Sequence, residues 1–268
     1  MNNTYVHGYD PRENERLQDQ AGTLVELLHA DTAYPPGSRV LEAGCGVGAQ
    51  TLTLARRSPQ ARFTCVDISA DSIAQARRNV DAAGICNVDL QQADIFDAPF
   101  APESFDHVFV CFVLEHLRHP ADALAVLKRL LKPGGTITVI EGDHGSTFFH
   151  PDNRAAHDAI DCQVVLQRNA GGNALIGRQV HPLLVDAGFD AVRVSPRMVY
   201  VDSSRPEWVD GFTRKTFTAM IEGVREPAIA AGLIAPERFD EGIEALRRTT
   251  EPDGVFCYTF FKGVGFKR

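Results

Sequence analysis

Residues Val40-Leu-Glu-Ala-Gly-Cys-Gly-Val-Gly48 decide the fold that we predict for this chain. The segment Arg39–Ala43 predicts a short buried strand, and the composition of Ala49–Arg57 predicts a helix. Between them lies a turn crowded with glycines, which are Gly44, Gly46 and Gly48. Glycine is needed where the backbone turns sharply and approaches a ligand with no Cβ between them. A strand, a glycine-rich turn and a helix form the first half of a nucleotide-binding βαβ unit.

A second strand is predicted over Arg62–Asp67, and its last residue is a carboxylate that can bind a ribose diol. Two interpretations of the glycine turn compete. Gly44, Gly46 and Ala49 fit the Gly-x-Gly-x-x-Ala form of the dinucleotide fingerprint, with Asp67 near the acid expected about 20 residues further on. The same stretch fits Glu-x-Gly-x-Gly-x-Gly, in which Glu42 lies two residues before the first glycine.

The carboxylate of Glu42 favours a cationic ligand. A dinucleotide site presents a helix N-terminus to a pyrophosphate, and an acid at this position would repel that anion. S-adenosylmethionine instead brings an α-ammonium and a sulfonium, which suit an acid at a strand end. We therefore expect S-adenosylmethionine as the cofactor, and an NAD(P)-dependent oxidoreductase is the alternative.

The composition bounds the class of protein. A length of 268 residues with 44% hydrophobic and 23% charged residues fits one large α/β domain with insertions, or a domain plus a small cap. The formal net charge of −8 and the pI near 5.6 argue against a nucleic-acid or anionic-membrane partner, because phosphate binding needs a basic surface. A small-molecule substrate is therefore expected, and homo-oligomerisation stays open.

The cysteines and the apolar runs indicate a compartment. The six cysteines form no Cys-x-x-Cys pair and fall mostly in apolar strands, which is typical of free thiols in a reducing cytoplasm. Met1–Arg16 is polar and charged, unlike a signal peptide, and no apolar run approaches the roughly 18 residues of a spanning helix. We expect a cytoplasmic protein with no membrane partner.

Strands and helices are predicted to alternate after the glycine turn, as a parallel sheet requires. The further predicted helices are Ser69–Ala83, Pro120–Leu131 and Asp152–Arg168, and the further strands are Val88–Ala93, Phe105–Val113, Thr136–Glu141, Ala191–Val201 and Val255–Val264. Residues 142–172 are expected to form a long loop around one helix, and residues 203–250 a helical cap. The expected domains are an N-terminal lid helix (1–34), a core (35–202), the cap (203–250) and a C-terminal strand completing the sheet (251–268).

His144 is the leading candidate for a general base. It lies just beyond the carboxyl end of the fifth predicted strand, the edge where open α/β sheets bind ligands, and imidazole titrates near neutrality. The alternative is a loop histidine that binds water or a backbone carbonyl. Glu141, Asp143, His144 and His150 fit no standard zinc spacing, so no metal is expected. A metal-dependent enzyme stays a variant of this interpretation.

Other side chains near the same predicted edge are candidates for substrate binding. His116 follows the fourth strand, although capping or packing of the next helix is an equal alternative. Phe148 and Phe149 fall in the predicted loop, and Tyr200 lies on the sixth strand. The helical positions Trp208, Phe212, Phe217 and Met220 have the spacing of a core stripe, and we expect most of them in the core.

Six short motifs occur in order along Arg39–Glu141, and they are Leu41–Gly48, Val66-Asp67, Ala93-Asp94, Phe105-Asp106, Leu114-Glu-His-Leu117 and Leu131-Lys-Pro-Gly-Gly135. Together they resemble the class I S-adenosylmethionine-dependent methyltransferases. The resemblance implies that the glycine turn holds the methionine part and that Asp67, with Ile68 beside it, holds the ribose. It also implies Asp94 and Ile95 against the adenine, Phe112 under the cofactor, and a seventh strand inserted antiparallel.

The N-terminus resembles a narrower branch, the small-molecule and natural-product methyltransferases whose leading helix closes over the cofactor. The matching residues are Tyr5, Gly8, Glu13, Arg16, Leu17 and Gln20. This resemblance implies that Tyr5 and Gln20 contact the cofactor and that His7 and Tyr9 belong to a lid over the sulfonium and substrate. A hydrophobic staple at the helix start is the alternative for these aromatic residues.

The predicted fold is thus α/β, a Rossmann-like, seven-stranded, mostly parallel sheet with helices on both faces, an N-terminal helix and a helical lid insertion. The predicted function is transfer of a methyl group from S-adenosylmethionine to O, N or C of a small, partly apolar metabolite. The active site is expected above Gly44–Gly48, beneath the N-terminal aromatics and the loop after Glu141. A homologue that binds the cofactor but has lost methyl transfer is the alternative from a different class.

Overall fold

A computed structural model describes residues 24–268 of the chain. The predicted contributions of Tyr5, His7, Tyr9 and Gln20, and most of the predicted N-terminal helix, lie outside the described residues.

Seven strands are present in this part of the chain, as predicted. They are β1 (Arg39–Ala43), β2 (Arg62–Asp67), β3 (Val88–Gln92), β4 (Phe105–Cys111), β5 (Leu131–His150), β6 (Asp190–Val201) and β7 (Val255–Phe266). The α-helices are α1 (24–29), α2 (Ala49–Arg57), α3 (Ala70–Ala82), α4 (Pro120–Leu130), α5 (Arg154–Asn169), α6 (Val180–Asp186), α7 (Pro206–Trp208), α8 (Ala219–Glu222), α9 (Arg225–Ala230) and α10 (Pro236–Arg248). A π-helix spans Val209–Thr218, and 3₁₀ helices span Ile95–Asp97, Leu114–His116 and Ile176–Gln179.

The sheet order is β3-β2-β1-β4-β5-β7-β6, and the β1–β2, β1–β4, β2–β3 and β4–β5 pairs are parallel. Strands β5 and β7 run in opposite directions. Gly134 and Gly135, near the start of β5, exchange backbone hydrogen bonds with Lys267, just past the end of β7. Ser146, near the end of β5, bonds to Thr259, near the start of β7. The seven-stranded, mostly parallel α/β fold is confirmed.

The described chain divides into two compact units. The core unit contains Val25–Glu141, Ile176–Arg197 and Phe261–Arg268, and the insertion unit contains Gly142–Leu175 and Met198–Phe260. The predicted domain boundaries at residues 34, 202 and 250 stay a prediction.

The core unit buries the apolar strands of the parallel sheet against α4 and α6. Its central side chains include Leu41, Val108, Leu127, Ile137 and Leu184, all of which are buried. This pattern arises because parallel strands are covered on both faces and therefore carry continuous apolar runs.

A buried cation joins the end of α1 to β7 within the core unit. The Lys262 Nζ atom lies 2.6 Å from Asp31 Oδ1, 2.5 Å from Thr32 Oγ1 and 3.3 Å from the Leu28 carbonyl oxygen. Arg197 pairs with the other oxygen of Asp31. Burial lowers the pKa of Lys262, and the hydrogen bond to Asp31 opposes that effect. The ammonium therefore acts as a structural tie between distant parts of the sequence.

The predicted loop after Glu141 is wrong, because β5 continues through residues 142–150 to His150. β5 and β7 are hydrogen-bonded neighbours in the sheet, and the Ser146 side-chain Oγ atom also accepts the Thr259 N–H at 2.9 Å. Strand pairing between segments more than 100 residues apart in sequence cannot be recognised from local composition.

Candidate functional site

The glycine turn lies at the carboxyl end of β1 and bonds to the end of β2. The Gly44 and Cys45 N–H groups both donate to the Val66 carbonyl oxygen, at 2.8 and 2.9 Å. Gly44 has φ +77°, and a Cβ on it would lie 2.4 Å from the Val113 Cγ2 atom. Only glycine fits at this position, because any side chain would clash with Val113 and strain the backbone.

Asp67 holds the glycine turn from the adjacent strand end. Its Oδ2 atom accepts the Gly46 N–H at 2.8 Å, and its Oδ1 atom accepts the Ser69 N–H at 2.9 Å. Burial raises the pKa of Asp67, and these two backbone donors oppose the rise. Each carboxylate oxygen has a second lone pair, so the group can also accept hydrogen bonds from two ribose hydroxyls.

Glu42 lies beneath the turn and is only 2% exposed. Thr51 Oγ1 in the first turn of α2 donates to Glu42 Oε2 at 2.6 Å. Burial raises the pKa of Glu42 from 4.5 to about 7, and the hydrogen bonds from Thr51 and Cys65 oppose the rise. Burial therefore favours the neutral form of the Glu42 carboxyl group. A cation bound nearby would lower this pKa and favour the negatively charged form of Glu42, on which the predicted preference for a cationic ligand depends.

The next strand end brings Asp94, Ile95 and Ile68 to the same edge. The Ala93 N–H donates to the Asp67 carbonyl oxygen at 3.0 Å, which fixes the segment after β3 beside the end of β2. Asp94 caps the 3₁₀ helix that starts at Ile95, and its Oδ1 accepts the Phe96 N–H at 2.9 Å. Ile68 is exposed and Ile95 is half-buried, so both offer apolar surface of the kind that covers a flat heterocycle.

Phe112 follows β4 with a φ of +58°, a conformation that few non-glycine residues adopt. Glu141, fully buried at the end of the parallel part of β5, holds this turn. Its Oε1 atom accepts the Val113 and Leu114 N–H groups at 3.0 and 2.8 Å. Burial raises the pKa of Glu141 well above its usual range. The strained turn is thus fixed by a carboxyl group on the neighbouring strand.

The core unit therefore gathers most of the predicted cofactor residues at one sheet edge. These are Glu42, Gly44, Gly46, Gly48, Asp67, Ile68, Asp94, Ile95 and Phe112. They follow four adjacent parallel strands, and the crevice outside the carboxyl ends of such strands is where open α/β sheets bind ligands. The edge offers carboxylates and apolar surface, a combination suited to an adenosine-containing cation. Their individual roles stay predictions.

His116 is also in the core unit, at the end of the 3₁₀ helix after β4, and its Nε2 atom lies 3.6 Å from Glu115 Oε1. Its predicted role in substrate binding stays a prediction.

In the insertion unit, His144 is on β5 rather than in a loop, and it is buried. Its Nδ1 atom lies 3.2 Å from the Ala174 carbonyl oxygen and 3.2 Å from the Tyr258 hydroxyl. A carbonyl oxygen can only accept, so in the tautomer that bonds to Ala174 the imidazole proton is on Nδ1. In that tautomer Nε2 carries the lone pair that a general base needs.

Aromatic side chains surround His144 within the insertion unit. Its ring centroid lies 5.6 Å from that of Tyr258, in an edge-on arrangement, and 5.9 Å from that of Phe217. Phe212 packs against Tyr258 at 5.9 Å. The core positions expected for Phe212 and Phe217 are confirmed, since both are buried.

Gly142 makes room for Tyr258, because a Cβ at position 142 would lie 2.3 Å from the Tyr258 hydroxyl oxygen. Tyr258 was not among the site residues predicted from the sequence. Its alternation between Phe256 and Phe260 indicates only a strand face, and no local motif marks it.

The remaining predicted substrate-binding residues, Phe148, Phe149 and Tyr200, differ in how deeply they are buried. Phe149 is 7% exposed and stacks on His157 and Phe256, with ring centroids 4.7 and 6.3 Å away. It is on β5, so the premise that Phe148 and Phe149 belong to a loop is wrong. Phe148 and Tyr200 are exposed, on β5 and β6.

Within 24–268, no group of three or more His, Cys, Asp or Glu side chains is placed to hold a metal ion. No helix in that part of the chain is long and apolar enough to cross a membrane.

The fold and this edge define a class of protein, and comparison with known proteins agrees. Residues 40–135 match the family described as Methyltransferase domain. Residues 40–135 thus carry a methyltransferase domain, and the fold of the described chain is that of the class I S-adenosylmethionine-dependent methyltransferases.

Particular relatives extend the comparison. The chain is 35% identical over 202 residues to an uncharacterized 37.1 kDa protein in transposon TN4556 of Streptomyces fradiae, covering 73% of this chain and 56% of that protein. It is 30% identical over 110 residues to the ubiquinone/menaquinone biosynthesis C-methyltransferase UbiE of Geotalea daltonii, covering 40% of this chain and 47% of that protein. The chain thus spans about half the length of the curated relatives it matches.

Among solved structures, the chain is similar to phosphoethanolamine N-methyltransferase 2 of Haemonchus contortus in complex with phosphomonomethylethanolamine and S-adenosylhomocysteine. The TM-score is 0.58 at 17% sequence identity, over 93% of this chain and 53% of that protein. At this identity the likeness concerns the fold alone.

Proposed function

We propose that this protein transfers a methyl group from S-adenosylmethionine to a small-molecule acceptor. The observation that carries the proposal is the edge of the core unit, where Asp67 bonds to the glycine turn and Glu42 lies beneath it. The methyltransferase domain match over residues 40–135 coincides with this edge. The formal net charge of −8 favours a small molecule over nucleic acid as the acceptor.

Each strand end has a role in this proposal. The glycine turn accommodates the methionine part, where Glu42 stabilises the positive charge of the donor. Asp67 accepts hydrogen bonds from the ribose hydroxyls with the lone pairs left over from Gly46 and Ser69. Asp94 and Ile95 would hold the adenine, and Phe112 would pack against the cofactor.

The acceptor is activated in the insertion unit. His144 takes a proton from the attacking group of the acceptor through Nε2, while the Ala174 carbonyl oxygen and Tyr258 fix the imidazole through Nδ1. Methyl transfer is an in-line displacement at carbon, so most of the catalysis comes from alignment and a modest part from the base. Replacement of His144 should therefore lower turnover more than it lowers cofactor affinity.

The compartment is also part of the proposal. All six cysteines are free, and five of them are buried. Such thiols suit a reducing cytoplasm, where disulfides do not persist.

Calorimetric titration with S-adenosylhomocysteine tests the cofactor assignment. We expect binding by the wild type and a loss of about 1–3 kcal/mol of binding free energy for Asp67→Ala, as for a polar group left without its partner. Asp71→Ala, a change of the same type on the exposed first turn of α3, is the matched control and should bind normally. Binding of NADH in place of S-adenosylhomocysteine would instead support an oxidoreductase.

Turnover separates an enzyme from a homologue that only binds the cofactor. Transfer of a radiolabelled methyl group from S-adenosylmethionine to any acceptor in a metabolite library supports the enzyme. His144→Ala should lower that transfer, and His157→Ala, whose imidazole bonds to Asp152 in the same unit, should not. Cofactor binding with no transfer across the library would favour the non-catalytic homologue.

A further inference from the structure

Two buried hydroxyls on the π-helix of the insertion unit have no hydrogen-bond partner within residues 24–268. They belong to Thr213 and Thr218, which are 1% and 2% exposed. A buried hydroxyl left without a partner destabilises the folded protein, because it loses the hydrogen bonds that it makes to water in the unfolded chain. Most buried polar atoms in folded proteins are satisfied, so each of these two requires an explanation.

Neighbouring threonines show that the backbone can satisfy such groups. Thr216, on the same π-helix and equally buried, donates from Oγ1 to the Gly211 carbonyl oxygen at 2.7 Å. Thr249, at the end of α10, donates to the Leu246 carbonyl oxygen at 2.7 Å. The two unpartnered hydroxyls are therefore not a general consequence of threonine in these helices.

The position of Thr213 and Thr218 on the π-helix relates them to His144. Residues four and five apart share one face of a helix with i→i+5 hydrogen bonds, so Thr213, Phe217 and Thr218 lie on the same face. The Phe217 ring on that face lies 5.9 Å from the His144 ring and 5.6 Å from the Tyr258 ring. The hydroxyls are thus beside aromatic side chains that surround the proposed base.

The charges buried in the insertion unit restrict the ligand. Among its described residues, Asp143 is the one buried side chain with a formal charge, and its Oδ1 accepts the Gly145 N–H at 3.0 Å. Apart from the imidazole of His144, the other buried polar side chains are neutral glutamines, threonines and a tyrosine. Burying an unpaired charge costs far more than burying a hydroxyl, so this interior favours an uncharged ligand.

We propose that Thr213 and Thr218 bind the acceptor substrate and that this substrate is an uncharged aromatic molecule carrying hydroxyl or carbonyl oxygens. Each threonine hydroxyl can donate to a carbonyl oxygen or accept from a hydroxyl group, and the aromatic side chains pack against the ring system. The inference rests on the proposed function and adds the chemical class of the acceptor and two residues that recognise it.

Three naphthalene probes with the same skeleton test the class of ligand in the presence of saturating S-adenosylhomocysteine. They are 2-naphthol, 2-naphthoate and 2-naphthylmethylammonium, titrated by calorimetry. We expect 2-naphthol to bind at least about tenfold more tightly than either charged probe, since one unpaired buried charge costs more than the 1.4 kcal/mol that a factor of ten represents. Equal or tighter binding of a charged probe, or binding of none of the three, would overturn the proposal.

Threonine-to-valine variants test the residues, with Thr216→Val as the matched control. Thr213→Val and Thr218→Val should each weaken 2-naphthol binding by about three- to tenfold, the value of one hydrogen bond. In the unliganded protein they should leave the melting temperature unchanged or raise it, because no internal hydrogen bond is lost. Thr216→Val should lower the melting temperature and leave 2-naphthol affinity unchanged.

Two results would contradict the assignment of these threonines. One is a loss of thermal stability in Thr213→Val and Thr218→Val equal to that of Thr216→Val, which would mean that their hydroxyls are bonded inside the protein. The other is unchanged 2-naphthol affinity in both variants. Failure of the wild type to bind S-adenosylhomocysteine is a separate result, which would refute the proposed function instead.

Discussion

Replacing Glu42 by glutamine should change how stability depends on pH. In the folded protein burial raises the pKa of Glu42 from 4.5 to about 7, and in the unfolded chain the group is solvated and titrates near 4.5. At about 1.36 kcal/mol for each pKa unit, this difference corresponds to about 3 kcal/mol. Below the unfolded-state pKa the folded protein holds a neutral carboxyl and has no penalty. As the pH rises through about 7, the wild type loses this stability.

Glutamine keeps an oxygen that can accept the Thr51 hydroxyl hydrogen bond, but it does not titrate. We therefore expect Glu42→Gln to be more stable than wild type by less than about 1 kcal/mol at pH 5 and by up to about 3 kcal/mol at pH 8.5. Urea denaturation followed by circular dichroism over pH 5–8.5 measures the difference. Glu251→Gln, at an exposed carboxylate, is the control and should show no such trend. A difference between Glu42→Gln and wild type that does not change with pH would refute the reasoning.

Three further changes test the packing around the site. Gly44→Ala should lower the free energy of unfolding by about 2–4 kcal/mol, because of left-handed backbone strain and the clash with Val113. Gly46→Ala, whose Cβ meets nothing within 4 Å, should lower it by only about 1–2 kcal/mol. Equal losses in denaturant titrations would argue against the clash. Glu141→Ala should leave the Val113 and Leu114 N–H groups without an acceptor, which should lower the free energy of unfolding by about 1–3 kcal/mol for each group. Glu141→Gln should retain most of the wild-type stability, because its amide oxygen can accept both hydrogen bonds. A glutamine variant as unstable as the alanine variant would mean that the carboxyl group contributes in another way. Lys262→Met should cost about 1–3 kcal/mol through lost hydrogen bonds to Asp31, Thr32 and Leu28, and a stabilised variant would show that desolvation of the ammonium outweighs them.

The glycine turn shows which structural features can be predicted from a short stretch of sequence. The predicted bounds of β1, α2 and β2 agree with the structure, because apolar runs, helix periodicity and glycines act over a few residues. The carboxylate at Asp67 was recognised for the same reason, since its place at a strand end follows from the strand itself. Cofactor-type residues at the edge of a parallel sheet are readable from sequence because each follows its own strand.

The residues around His144, where we propose that the acceptor is activated, could not be predicted in this way. His144 was recognised as a candidate, but its neighbours Tyr258 and Phe217 are more than 70 residues away in sequence, and no spacing connects them. Glu42 was expected to be charged, and its burial beside Thr51 decides its protonation instead. Burial and tautomer depend on contacts from distant segments.

The sequence by itself determined the α/β class, the succession of strands and helices up to the first half of the fifth strand, and the glycine–carboxylate edge, since these follow from short-range periodicity and steric demands. The tertiary structure alone decided that residues 142–150 are strand, that Phe149 is buried, and that Thr213 and Thr218 lie inside without partners. The physical reason is the length of chain that separates the partners. The Thr259 N–H donates to the Ser146 hydroxyl, and 113 residues separate the two in sequence. A stretch without a turn or helix signal of its own forms a strand only when it pairs with such a distant segment.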